Sequence, residues 1–539
     1  MVDYYRYLNI DLHKCSIISQ DREMLYSRIF FINFVRIILF LYFFLFHTNV
    51  FCQTDYEFWF AAPAITTQTI PPSSVIVTQL NQPICLYITT AEGPAMVKIE
   101  QPANSSFIPI VITVTNDSAK AVNLTPFLNI IENKPADTIL NYGVRITSDK
   151  RISAIYEVQS PENAATYTLY GKNALGYEFI IPSQKHFSNF PFCNPPARNV
   201  FDIVATEDST IVQIIPSKDI VGHIANDTFS VVLNRGQSWS GKAVSGDSTD
   251  HIGGTMVFSN KPIAVTVTDD MVFIPNTELN AFDVAGDQIL PRNIAGNDFI
   301  IREPYELIPF HSRIMVYAYE DSTAITYNDS INIQSLIIDR GESAEFIFPT
   351  YGSLPYGNVA YIHANNHILV SEFTGAPGIN SPQASFCMIS PIVCGLSKRV
   401  TFTQTPPSGN LFQFKFFLFT KNGNQGNFTY KPSWIAIPPS AFNPVPGTFG
   451  EWVSAESGGY GNFPMYLTVQ IENPESFQLS AISWDFGATN AHFSKYTYFS
   501  DFSSLNLGPD IAICPSDSVL LDAGYGRSSY LWSTGETSQ

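Results

Sequence analysis

The sequence predicts an all-β chain built from tandem antiparallel β-sandwich-like repeats, and three observations carry that expectation. Charged residues make up only 14% of the chain and are matched by 14% Phe, Tyr and Trp, a mixture that suits half-buried pleated strands better than amphipathic helices. The 31 glycines and 36 prolines are dispersed along the chain, as turn punctuation between many short strands requires. Aligned against itself, the chain also repeats at a spacing of about 120 residues, the size of a domain and not of a solenoid rung. A β-propeller-like arrangement of the repeats satisfies the same observations.

The chain opens with an address. Residues 37–46 (IILFLYFFLF) are continuously apolar and follow Arg28 and Arg36. Their length, about ten, matches the apolar core of a signal peptide and falls short of the roughly 20 that a spanning helix needs. The polar stretch before Met24 is too long for a leader, so translation is expected to start at Met24 and cleavage to fall near Cys52 or Gln53. Residues 1–53 are therefore read as a signal-peptide region, and Phe51 makes a poor box for a lipid-modified Cys52. The membrane is then a partner only during export, and the mature protein is expected to be secreted or held at the cell surface.

Three copies of one strand pattern follow, at 54–175, 176–295 and 296–400. Each opens on an aromatic-rich strand: Glu57-Phe58-Trp59-Phe60, then Tyr177-Glu178-Phe179-Ile180, then Asn297-Asp298-Phe299-Ile300. An acidic turn comes next, Thr206-Glu207-Asp208-Ser209 and Tyr319-Glu320-Asp321-Ser322, with Thr90-Ala91-Glu92-Gly93 as a fainter counterpart. The alternation on either side, as in Val212-Gln213-Ile214, has the period of a half-buried strand, and the turn reads as a hairpin tip. A second turn pairs Asn234-Arg235-Gly236-Gln237 with Asp339-Arg340-Gly341-Glu342. Each copy closes on another expected hairpin, VRITSDKRISAIY from Val144, TMVFSNKPIAVTV from Thr255 and YIHANNHILVSEF from Tyr361, with Asp149, Asn260 and Asn366 at the tips, where Asn and Asp tolerate turn backbone. Residues 401–506 share the texture without the turn signatures and read as a divergent closing β domain.

Charge and motif narrow the function. A formal net charge of −18, with no basic cluster in the exported part, repels phosphate backbones and excludes nucleic acid as a partner. His363 and His367 have the spacing of a helical zinc pair, but no glutamate lies between them and the strand pattern places them on a hairpin. Asp269-Asp270 and the Glu207-Asp208 and Glu320-Asp321 turns could pair carboxylates for hydrolysis or calcium; their recurrence at turns favours solvated tips. Gly375-Ala376-Pro377-Gly378 lacks a following helix and reads as a connector. Tyr351, Tyr356, Tyr460 and Trp452 are candidates for stacking on sugars or for packing. No residue is assigned a catalytic, cofactor-binding or metal role, no cofactor is expected, and the chain is read as a non-enzyme. Among the exported cysteines, Cys85, Cys193, Cys387 and Cys394 could form two disulfides in an oxidising compartment, Cys387 and Cys394 being close enough to close a small loop; the pairing stays open.

EFWFAAP at Glu57, GVRITSDKRISAIY at Gly143, VATEDSTIVQI at Val204, FCMISPI at Phe386 and YTYFSDF at Tyr496 together resemble the N-terminal domain family of the IgGFc-binding protein, found also in gliding-motility-associated bacterial surface proteins. The resemblance runs from about Thr54 to Gly508 and implies an extracellular adhesion or binding role toward a glycan or protein ligand. It does not by itself imply immunoglobulin. Residues 507–539, with Cys514-Pro515, Leu520-Leu521-Asp522-Ala523-Gly524 and Leu531-Trp532-Ser533, resemble the start of an Ig-like or PKD-like module cut short, in which Cys514 would pair with a later strand. In this the chain resembles proteins exported by type IX secretion, which the resemblance implies as its route. A structural surface spacer and an extracellular glycan hydrolase are the alternatives.

Overall fold

The computed structural model describes residues 54–73, 76–116, 118–160, 163–274, 281–302, 312–329, 331–348, 358–376, 383–392, 396–403, 412–458, 460–461, 467–485 and 494–499. The described chain is nearly all antiparallel strand, as its composition predicts.

Four sheets share one plan. In repeat 1 the seven strands are Asp55–Phe60, Ile84–Thr89, Ala95–Glu100, Ile110–Val114, Lys120–Asn123, the long Val144–Ser160, and Asn163–Leu169. The long sixth strand is the spine: its first half pairs with the first and third strands, and its second half with the second and seventh. The fourth strand adds to the third and the fifth to the second. Repeat 2, with its spine at Met256–Ile274, and repeat 3, with its spine at Val359–Ala376, follow the same order. The divergent region keeps most of it: Ser397–Thr403, Phe412–Lys421, Thr429–Lys431 and Ser494–Phe499 all pair with the spine Thr468–Asp485, and Trp452–Glu456 pairs with Phe412–Lys421, but the short strand Asn443–Pro444 pairs with Trp452–Glu456 and not with Thr429–Lys431.

The spine can serve two layers because it bends. Along the first strand the register steps from Glu57 to Asp55 while along the spine it steps from Thr147 to Ile152. The same step recurs from Phe258 to Ile263, His363 to Ile368 and Glu472 to Phe477. A bulge of this kind leaves extra residues unpaired and sharpens the local twist, so each sheet curls into two facing layers around one core. In repeat 2 that core joins Phe179, Val212 and Val257 of one layer to Phe201, Trp239 and Val265 of the other.

Two expectations are corrected by this plan. The runs from Val144, Thr255 and Tyr361 are not hairpins but single bent strands. Asp149 and Asn260 lie in the bulge, where each side chain accepts the backbone N–H of Met96 or Ile211 on the third strand, and the matching residue in repeat 3 is Asn365, which accepts from Ala324, and not Asn366. The acidic turns are not hairpin tips either, and the Arg-Gly turns cross between layers in the same way. Ala205 ends a strand of one layer and Thr210 starts a strand of the other, so each turn is an arch between layers. Alternation reports which face a residue takes; it carries no information on which strand becomes the neighbour.

The repeats close on themselves. Seventh strands of successive repeats lie against one another, and that of repeat 4 reaches that of repeat 1. Each turn that leads into the fifth strand also docks on the start of the spine in the preceding repeat. Gly143 N–H donates to Gly236 O, the Gly341 carbonyl packs on Gly254, Gly447 packs on Tyr361, and Ser118 bridges Leu467. The last of these joins repeat 1 to repeat 4, as does the hydrogen bond from Ser153 Oγ to the Thr401 carbonyl. Apolar packing crosses the seams as well: Phe417, Phe419 and Trp452 belong to the core of repeat 3, and Ala164 of repeat 1 to the core of repeat 4.

Candidate functional site

The acidic arches are knit into the fold. Asp208 accepts the Arg235 N–H at 3.0 Å and Asp321 the Arg340 N–H at 3.1 Å. In return Asn234 and Asp339 accept from Ser209 and Ser322, both held at a φ of 55°. Gly236 and Gly341 take φ values of 79° and 80°, which a side chain would resist. These exposed carboxylates therefore cap neighbouring backbone and do not converge on a common centre.

Asp269 and Asp270 are corrected outright: both are buried in the spine of repeat 2 and neither is a solvated tip. Asp269 accepts from Gln184 Nε2 and Asn189 Nδ2, both at 2.7 Å, and lies 3.5 Å from the buried His251. Asp270 accepts from Thr66 N and Oγ1 at 2.9 and 2.7 Å, tying the first linker of repeat 1 to repeat 2, and burial pushes its carboxyl up to about 6. A third group is invisible to motif reading: Asp202, Asp283 and Asp287 are fully buried, and burial holds all three carboxyls well above their ordinary range. Asp283 accepts Ala384 N–H, while Asp287 accepts Thr168 N–H of repeat 1 and Met388 N–H of repeat 3. The chemistry of Asp283 and Asp287 is that of strand glue. The one legible signal was an acid inside the otherwise apolar run Phe282-Asp283-Val284-Ala285.

The other sequence candidates scatter. His363 is exposed and its Nδ1 sits 2.7 Å from Asp298 Oδ1, whereas His367 is the last residue of the bulge, with its carbonyl accepting Tyr319 N–H. Trp452 is buried at the seam of repeats 3 and 4 and is no sugar platform. Gly375 and Ala376 end a spine strand rather than form a connector, and Tyr351, Tyr356, Pro377 and Gly378 lie outside the described residues. Cys387 is a buried thiol and does not close a loop with Cys394, which is outside the described residues; Cys193 is likewise a thiol, pushed up to about 12 by burial. Strand geometry puts Cys387 inside the sheet, facing the core. Among the described residues no group of three or more His, Cys, Asp or Glu side chains could hold a metal ion, and no helix is long and apolar enough to cross a membrane.

What the surface does offer is a set of arginine seams. Between repeats 1 and 2, Arg235 lies 5.6 Å over the Trp59 ring. Between repeats 2 and 3, Arg340 lies 5.6 Å over Phe258 and reaches Glu178 at 2.8 Å. Between repeats 3 and 4 the matching acid is Asp298, bonded to Tyr361 and His363, and the adjoining arch, which here closes a hairpin between Asn443–Pro444 and Trp452–Glu456, carries Pro446-Gly447 where the others carry Arg-Gly. Three extra residues in that arch present Phe449, fully exposed and at a φ of 53°, between Gly447 and Gly450. Trp434 is a second exposed aromatic of repeat 4. Sequence reading passed over Phe449, although an aromatic between two glycines after a proline marks it.

Residues 165–481 match the profile of a family described as IgGFc binding protein. That span begins in the last strand of repeat 1, so the landmarks at Glu57, Gly143 and Tyr496 fall outside it. No curated protein sequence matches the chain. One solved structure aligned with it is described as "Ca2+-stabilized adhesin helps an Antarctic bacterium reach out and bind ice"; the two are 10% identical over 82% of this chain and 99% of that one, at a TM-score of 0.10, which carries no structural argument. With more than half its length covered by the profile, the chain belongs to the IgGFc binding protein family.

Proposed function

We propose that the chain is a non-enzymatic binding protein of the cell surface or extracellular space that engages a glycan or protein ligand through its exposed arches. One observation carries the reading. Of the groups weighed for catalysis, the arch acids cap backbone, Asp269 is tied to side chains of its own repeat, Asp270 joins repeats 1 and 2 and His363 pairs with Asp298, so they share no centre, whereas the fully exposed side chain is an aromatic, Phe449, of a residue type enriched at interfaces. Family membership supports the same class of activity, and the Fc region of immunoglobulin is one ligand to include in the test. The apolar segment at 37–46 supports export, and the motifs after Leu507 support a gliding-motility-associated, type IX-secreted context. A spacer gains reach by stacking repeats end to end; a fourth repeat seated on the first weighs against that role.

The test is a glycan array together with whole-cell adhesion and Fc capture by the full chain. Retention on at least one surface, without polysaccharide turnover, is the expected result. Turnover abolished by replacing a buried carboxylate would promote the hydrolase, and absence of any retention would leave the spacer.

A further inference from the structure

We propose that the seam between repeats 3 and 4 is a receptacle for an arginine side chain of a partner protein, with Asp298 taking the guanidinium and the Phe449 arch supplying the adjacent apolar contact. The inference rests on the binding reading above and names the partner's chemistry. Register places Glu57, Glu178 and Asp298 at one position of the first strand, opposite Thr147, Phe258 and His363 of the spine. In repeat 2 that acid and the ring opposite it hold the guanidinium of Arg340, delivered by the arch of the next repeat. A planar guanidinium suits the position because it pairs with a carboxylate and stacks on a ring at once, which a lysine ammonium does less well.

At the third position the acid and the ring are in place and the arginine is not. Gly447 occupies the site of Gly341, with a φ of 77° against 80°, and abuts Tyr361 as Gly341 abuts Met256. The residue before it is Pro446 in place of Arg340. Tyr361 Oη and His363 Nδ1 both converge on Asp298 Oδ1, and among the described residues no donor reaches Oδ2. Asp298 and His363 are 24% and 53% exposed, so the carboxylate can be reached from solvent. The arch that fails to fill the site is also the arch that projects Phe449. Thr448 Oγ1 and Asn422 Nδ2 hold it through the carbonyls of Val445 and Gly450, so the ring is presented on fixed backbone. A net charge of −18 over the chain favours encounter with a basic partner.

The test titrates the full chain with N-acetyl-arginine amide and with its neutral citrulline counterpart, read by saturation-transfer NMR. The arginine amide is expected to bind about tenfold more tightly than citrulline, and Asp298→Asn to remove that advantage. Pro446→Arg, compared with Pro446→Ala, restores the internal arginine; it is expected to block the probe and raise the melting temperature, with the rise lost when Asp298→Asn is added. Equal binding of the two amides, or undiminished binding to Pro446→Arg, overturns the receptacle. A chain that takes the arginine amide but adheres to no surface leaves the receptacle standing and defeats the wider binding reading. An Asp298→Asn chain that adheres as the wild type does removes the receptacle from adhesion and overturns its role as a partner site.

Discussion

Asp287 sits where three repeats meet, its two oxygens taking one backbone N–H from each neighbour, and it has no counter-cation to offset its burial. Burial pushes it up to about 8 from the ordinary 3.8. The folded chain therefore holds a proton that the unfolded chain releases between those values. Stability from this group is complete below about pH 4 and is lost as pH rises through about 8, with about 1 kcal/mol of that loss between pH 7 and pH 9. Asp283 and Asp202 are shifted in the same direction and steepen the fall. Thermal unfolding across that range should show the decline, and Asp287→Asn should flatten it while costing about 1–3 kcal/mol at pH 6, because an amide cannot accept at both N–H sites. Next to it, a Cβ on Gly286 would lie 2.4 Å from the Val267 carbonyl and 2.7 Å from the Tyr167 ring. Gly286→Ala should therefore lose about 1–3 kcal/mol in urea titrations. Little of this was legible. An aspartate in a strand looks the same on paper whether it faces water or the amides of another repeat, and only the ring of contacts tells them apart.

At the level of the strand, the bulge is what turns one sheet into two layers. Asn260 earns its place there by accepting Ile211 N–H at 2.8 Å, so Asn260→Ala should cost about 1 kcal/mol, measured by chemical denaturation. Deleting Lys261 should be far worse: a one-residue slip turns the second half of the spine inside out, driving Ile263, Val265 and Val267 from the core, and soluble yield is the readout. The strands themselves were legible because their alternation survives in burial. Ala95–Glu100 and Thr210–Ile215 alternate buried and exposed positions in step, and Thr323–Asn328 nearly so. Their partners were not legible. Asp149 and Asn260 carry the composition of a turn, yet the chain runs straight on through a bulge, since the same side-chain acceptor that closes a turn can also satisfy an N–H on the next strand.

Across the whole molecule, the closed arrangement makes the fourth repeat indispensable. Its Phe417, Phe419 and Trp452 complete the core of repeat 3, and Ala164 of repeat 1 packs into its own core. A chain ended after residue 392 should aggregate or show near-complete amide exchange in repeat 3, by size exclusion and hydrogen exchange, whereas an open array would keep its first three units folded. The equivalence of repeat 4 was hidden because its arch has lost the Arg-Gly signature, and the closing contacts involve Ser118 and Thr401, which no motif flags, and Ser153, whose motif gives no hint of its partner. Ser153 and Thr401 are separated by 248 positions. A ribosome delivers the first of them long before the second, so three repeats must wait with one flank bare. Joining contacts that distant is slow, and the time spent waiting falls on whatever chaperone shields that flank until residues 397–499 emerge to shut it.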